Sequence, residues 1–178
     1  PQRNHSPNRW APYKNLELTD KVPSYPSELS NERLAEIKKE INGDIRIYLK
    51  NCSENYLEYI NAAQKLFPEV YERMKKFDSE FDMTAYLSEL DEAKKSKDVG
   101  TEYGLLKNGV EMRIYTPATY HRLAMLHEKN GRLEKARDVC LTWFETDFWK
   151  LPNTWKGSLR ILDRLEKIEK KYGAQHRL

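Results

Sequence analysis

The chain has 178 residues, enough for one globular domain of ordinary size or for a domain with an appendage. Apolar side chains make up 39% and charged ones 33%, with 7 glycines, which disfavours a membrane protein or a many-turned β-sandwich and favours helices with solvated outer faces. The net charge of +3 is uneven: residues 117–178 carry 13 Lys/Arg against 8 Asp/Glu, leaving −2 for residues 1–116, a weak pointer to a polyanionic partner.

No apolar run approaches the roughly 20 residues that cross a bilayer, and no basic start followed by an apolar core marks a signal peptide. The chain begins at Pro1, so the expectation is a fragment or processed product, with room for a catalytic domain upstream. Cys52 and Cys140 form no CxxC pair, and two thiols in a chain this long read as reduced and cytoplasmic. The acceptor strings Asn4-His5-Ser6 and Asn51-Cys52-Ser53 are short enough to arise by chance.

Five of the 8 prolines lie between Pro1 and Pro26. Proline lacks a donor and biases its predecessor toward extended backbone, so residues 1–29 are neither helix nor central strand. They also carry Trp10, Tyr13, Leu16, Leu18 and Tyr25, which favours an extended Pro-rich arm strapped over a body or a partner; the alternative is a tail without fixed structure.

From Ser30 the pattern turns helical. Leu34, Ile37, Ile41, Ile45, Tyr48 and Cys52 are spaced three and four apart, the spacing of one helix face. Asn42-Gly43-Asp44 offers an end cap and a new N-cap, yet the stripe keeps its phase across it, so two helices and one long helix both fit. Tyr56, Tyr59, Ile60, Ala63 and Phe67 continue the stripe to Pro68, which suits the first turn of the next helix. Val70, Met74, Phe77 and Phe81 mark that helix. Asp82 or Thr84 opens another, with Tyr86, Leu87, Leu90 and Ala93 facing inward.

Over 103–115 two readings compete. Asn108-Gly109 between Leu105-Leu106 and Val110 is a β-hairpin signal, whereas Tyr103, Leu106 and Val110 follow a helical spacing. The helix from about Asp98 to Met112 is favoured, although two glycines inside it cost about 2 kcal/mol relative to alanine.

The segment from residue 116 is the clearest. Thr116 suits an N-cap and Pro117 a first helical position; Tyr120, Leu123, Ala124 and His127 then form a stripe that Asn130-Gly131 stops. Leu133, Ala136, Cys140, Trp143 and Phe144 line a second helix, so the pair forms a hairpin. A last helix spans about Asn153 to Tyr172, with Trp155, Leu159, Leu162, Leu165 and Ile168 inside and Gly173 at its end.

Tyr86, Tyr120 and Thr154 recur at one fixed interval, with Trp155 a single place later. With Leu123-Ala124 as a large–small pair, His127 at a usual aromatic position, Gly131 at the turn and Ala136 at the small contact, residues 117–150 resemble the tetratricopeptide repeat. Leu133 stands where an aromatic is usual, and the terminal proline appears displaced as Pro152. The resemblance covers residues 83–172, about half of the chain. It implies stacked antiparallel helical hairpins, an all-α fold. With the proline-rich start and the helical stripes, the chain divides into an arm over 1–29, a helical hairpin subdomain over 30–81 that shows no clear repeat, and repeats with a capping helix over 82–178.

Catalytic and metal readings are weak. His121 and His127 lie six apart, about 240° around a helix, so they do not share a metal as an HExxH pair does. His127 falls on the core stripe and is expected to pack there with its nitrogens bonded to neighbours. Asp78, Glu80 and Asp82, and Glu89, Asp91 and Glu92, fall on amphipathic helices and read as solvated faces. No phosphate loop, dinucleotide fingerprint or nucleophile elbow is present, so the expectation is no enzyme, cofactor or metal.

The function that the resemblance implies is non-catalytic recognition of a peptide or protein. Carried onto this sequence, the repeat's inner face is Ala118, His121, Arg122, Met125, Glu128 and Lys129. Trp155 joins the candidates because the cluster Trp143, Phe144, Phe148, Trp149, Trp155 reads either as a helix seam or as a partner pocket. Three alternatives stand beside this reading: a nucleic-acid module using Lys156, Arg160, Arg164 and Lys167, a structural part of a larger enzyme or assembly, and a homodimer.

Overall fold

The computed structural model describes residues 31–176, so the expected arm over 1–29 lies outside the described residues. The described residues contain no strand. The helices are α1 (Asn31–Glu40), α2 (Arg46–Glu54), α3 (Tyr56–Leu66), α4 (Pro68–Glu80), α5 (Met83–Lys95), α6 (Val99–Glu111), α7 (Pro117–Lys129), α8 (Leu133–Glu145) and α9 (Trp155–His176).

A π-helical turn, Ile41–Ile45, joins α1 to α2. The backbone of 42–44 therefore runs inside one continuous helix, at a widened turn. Ile37, Ile41, Ile45, Leu49 and Cys52 are buried along it. Packing through a widened turn preserves the apolar face at the cost of poorer bond geometry.

From α5 to α8 the backbone repeats. Each of these four helices has 13 residues, and the step from Met83 to Pro117 equals the step from Val99 to Leu133. That step is also the interval between Tyr86 and Tyr120. The turns repeat as well: Lys97 (φ 56°) matches Gly131 (φ 74°), and Arg113 (φ 58°) matches Asp147 (φ 65°). At both interhelix turns an amide bonds back across the last helical turn, Asp98 to the Ala93 carbonyl and Arg132 to the His127 carbonyl, each at 2.9 Å. Glycine stands at only one of these four left-handed positions.

The competition over 103–115 ends as a helix. Gly109 lies inside α6 because Tyr86 needs the space: a β-carbon there would sit 2.3 Å from the tyrosine hydroxyl, which donates to the Leu105 carbonyl at 2.9 Å. The glycine that resembles a hairpin signal is a packing requirement.

Several local expectations are corrected. Thr116 is the N-cap residue of α7, as expected, in extended backbone, but its hydroxyl makes no cap bond and is buried without a partner among the described residues; the Thr119 amide bonds the Thr116 carbonyl. Leu87 faces outward at 43% exposure, and Tyr56 is exposed at 36%. The last helix opens with a 3₁₀ turn (Pro152–Thr154) and runs through Gly173 to His176.

The core is continuous from Ile37 to Ile168. The N-terminal helices fold back over the far end of the repeated pairs, with α1 against α8 and α2 against α9. They grip the segment after α8. The Tyr48 hydroxyl donates to the Lys150 carbonyl, Arg73 donates to the Thr146 carbonyl at 2.7 Å, and Arg33 lies 3.9 Å from Asp147. The tryptophan-rich cluster is mainly this seam: Trp143, Phe144, Phe148 and Trp149 are buried, with Tyr48 edge-on to Trp149.

Candidate functional site: the groove between α7 and α9

Helix α7 owes its placement to one apolar face. Tyr120, Leu123, Ala124 and His127 are buried, and Tyr120 donates to the Ile114 carbonyl at 2.8 Å. The opposite side carries the residues that the repeat resemblance marks as inner-facing. Helix α9 packs against both α8 and α7. The Trp143 indole donates to the buried Ser158 hydroxyl at 3.0 Å. Gly157 lets α9 approach the start of α7, since a β-carbon there would fall 2.3 Å from the Pro117 ring.

Between the two helices runs a groove of about 330 Å³, lined by Arg122, Met125, Leu126, Glu128, Lys129, Arg164 and Lys171. Four of the seven candidates thus meet in one place. Ala118 lies in the neighbouring groove between α5 and α7, with Leu87, Leu90, Asp91, Lys94 and, again, Arg122. His121 is half-buried, in the field of Arg164, Arg160 and Lys167. Trp155 lines neither groove; it packs partly against the core, with the Lys156 ammonium 5.6 Å from its ring centre.

Two buried carboxylates organise the groove's cations. Glu102 of α6 is 3% exposed and accepts both Nε (3.4 Å) and Nη2 (2.9 Å) of Arg122. Glu128, with its side chain 9% exposed, accepts from Arg164 at 3.0 Å and from Lys171. Burial alone would raise the Glu128 pKa, but Lys171 and Arg164 outweigh it and hold the carboxyl below its ordinary value. His121 is pushed down, first by burial and then by Arg164 and Arg160. Both histidines on α7 are thus biased toward the neutral form.

His127 is buried on the core face but departs from expectation in one respect: neither nitrogen has a hydrogen-bond partner among the described residues. Its ring stands edge-on to Tyr103, 5.6 Å between centroids, and the polar groups that act on it are the cations of Arg132, Lys135 and Lys107. Burial and these charges lower its pKa to about 4. Among the described residues no three His, Cys, Asp or Glu side chains come together as a metal site. The acidic clusters remain at exposed or partly exposed positions; Asp82 caps α5 by accepting from the Ala85 amide at 3.0 Å, and Asp78 accepts from the Tyr115 hydroxyl.

Sequence reasoning missed three contributors: Glu102, Arg164 as a groove residue, and Lys171. Glu102 lies one repeat interval before Ala136, so a carboxylate occupies a position where the repeat puts a small side chain. Arg164 and Lys171 lie seven apart, on one side of a helix. Both signals are readable in the sequence, but neither names the opposing residue.

Among the described residues no helix is long and apolar enough to cross a membrane. Comparison of the chain with family models, curated proteins and solved structures finds no match. The structure thus defines a class, an all-α helical protein compatible with a helical repeat.

Proposed function

We propose that this chain is a non-catalytic protein-interaction module of tetratricopeptide type, holding a peptide segment in the groove between α7 and α9. The observation that carries the reading is that groove: Arg122, Met125, Glu128 and Lys129 from one helix meet Arg164 and Lys171 from another over an apolar floor. The recurrence of helix bounds and left-handed turns at a single interval supports the repeat type. A pliable methionine beside fixed charges suits a segment with both apolar and polar groups.

Panning a random peptide library on the whole protein, then titrating the selected peptides by calorimetry, tests this. Arg122→Glu and Met125→Ala are each expected to weaken binding by roughly tenfold, as loss of a contributing interface side chain does. Unchanged affinity in both variants would remove the reading.

A second reading, binding of nucleic acid along the basic side of α9, draws on Arg160, Arg164, Lys167 and Lys171. Two features weigh against it: the Glu128 carboxylate set between Arg164 and Lys171, and a groove lining without an aromatic ring on which bases could stack.

A further inference from the structure

The charges of α9 alternate in sequence but separate in space. At about 100° per residue, Arg160, Arg164, Lys167 and Lys171 fall within roughly 60° of one another. That line faces α7: Arg160, Arg164 and Lys167 act on His121, and Arg164 and Lys171 bond Glu128. Glu166 and Glu169 point the other way, lining a separate cavity with Lys38 and Ile41 of the first helix, where Arg46 lies 3.8 Å from Glu166. One edge of α9 is therefore basic; Glu166 and Glu169 belong to another surface, and Asp163 stands at the border, about 40° around the helix from Lys167.

Along this edge the cations exceed what the protein itself neutralises. Glu102 and Glu128 hold Arg122, Arg164 and Lys171. Among the described residues Arg160, Lys167 and Lys129 make no ion pair. Six cations thus stand beside Glu102 and Glu128, both already engaged, with Asp163 flanking the line. Glu102 takes the Nε and Nη2 edge of Arg122 and leaves Nη1 for a ligand, while Arg164 Nε is buried without a partner. Side chains fixed in this way lose less rotamer entropy when a ligand arrives. The basic line runs eleven positions along the helix, about 16 Å, so its cations are strung along the groove instead of converging on one point.

We propose that the α7–α9 groove takes an acidic internal peptide segment, its carboxylates spaced along Arg160, Arg164, Lys167 and Lys171 and one apolar side chain resting on Met125 and Leu126. This rests on the peptide-recognition reading and names the partner's chemistry. A strung-out line of cations matches several side-chain carboxylates in sequence and makes no demand for a chain terminus. The apolar floor and narrow volume suit a peptide better than a polynucleotide.

The test is fluorescence anisotropy with a labelled twelve-residue peptide of Glu, Asp and Leu, amidated at its C-terminus. The comparison probes replace every acid by lysine, or substitute a single-stranded RNA twelve-mer. The acidic peptide is expected to bind at least tenfold more tightly than the lysine version and to weaken about tenfold between low and moderate salt. Arg160→Glu/Lys167→Glu, which breaks no ion pair among the described residues, should cost a further tenfold with an unchanged thermal melt. The charge-matched control Lys39→Glu/Lys65→Glu should bind as the wild type does.

Equal binding of the lysine peptide, an equal loss in the control, or no binding of the acidic peptide overturns the proposal. If library-selected peptides that need Arg122 and Met125 prove neutral or basic, the acidic partner falls while peptide recognition stands. Tighter binding of the RNA with no peptide binding removes both.

Discussion

The Tyr86 hydroxyl fills the space that a side chain at Gly109 would occupy, and this contact joins α5 to α6. An ideal β-carbon at Gly109 lies 2.3 Å from that oxygen, 3.0 Å from the Tyr86 ring carbon that bears it, and 3.0 Å from a Thr119 methyl. Gly109→Ala is therefore expected to destabilise the protein by about 1–3 kcal/mol through overpacking, although alanine is favoured in a helix interior by about 1 kcal/mol. Urea denaturation checks the sign. In the Tyr86→Phe background the penalty should shrink, because the nearest clashing atom is gone.

Burial of His127 makes stability fall in mild acid. Its pKa is lowered from 6.5 to about 4, by burial first and then by Arg132, Lys135 and Lys107. Between those values the unfolded chain takes up a proton that the folded chain refuses, so stability drops as pH falls from 6.5 toward 4. The full effect is up to about 3 kcal/mol. His127→Phe keeps an edge-on ring against Tyr103 and removes the titration. Chemical denaturation at pH 7 and pH 4.5 should show a smaller acid loss in the variant than in the wild type. Equal losses would show that this ring does not resist protonation.

Asp138, on α8, works in the opposite direction. Burial raises its pKa from 3.8 to about 6, with Arg137 and Lys38 opposing and Glu134 adding to the rise. The folded state holds its proton more tightly than the unfolded state, so this group's contribution declines as pH rises from 3.8 through 6 and stays lost above that. Asp138→Asn is expected to add about 1–2 kcal/mol at pH 7, allowing for partial exposure. The gain should diminish toward pH 4 in parallel urea titrations.

Lys97 holds a left-handed backbone, φ 56°, at the turn where the next pair of helices has Gly131. A side chain in this region costs about 1–2 kcal/mol, part of which glycine returns as extra freedom in the unfolded chain. Lys97→Gly is expected to stabilise the protein by roughly 0.5–1 kcal/mol, a rise of a few degrees in Tm by calorimetry. A lower Tm would mean that the lysine's own contacts outweigh the backbone strain.

The helical class, the hairpin at 117–145 and the period were readable because helix periodicity and turn chemistry are local. Pro117 and Gly131 announce the ends of α7, and Tyr120, Leu123 and Ala124 its buried face, without reference to any neighbour. The reading failed where a residue's state depends on what packs against it. Leu87 matches the inward stripe, yet it is exposed because it lines the open groove between α5 and α7. Asn108-Gly109 matches a hairpin turn until Tyr86 is laid over it. Four of the six inner-face candidates share a groove since spacing alone puts them on one side of α7. Trp155 does not, because its direction is set by where α9 docks.

What the amino-acid order determined unaided is the helical class, the period and the hairpin at 117–145, since backbone propensity and apolar spacing act within a few residues. Only the tertiary structure decided which of those sides meet. It turned one edge of α9 basic against α7, sent Glu166 and Glu169 toward the first helix, and set Glu102 under Arg122. Those outcomes depend on contacts between residues 20 to more than 100 positions apart, such as Glu102 with Arg122 and Tyr48 with Lys150, which form only when the apolar faces of separate helices are buried together.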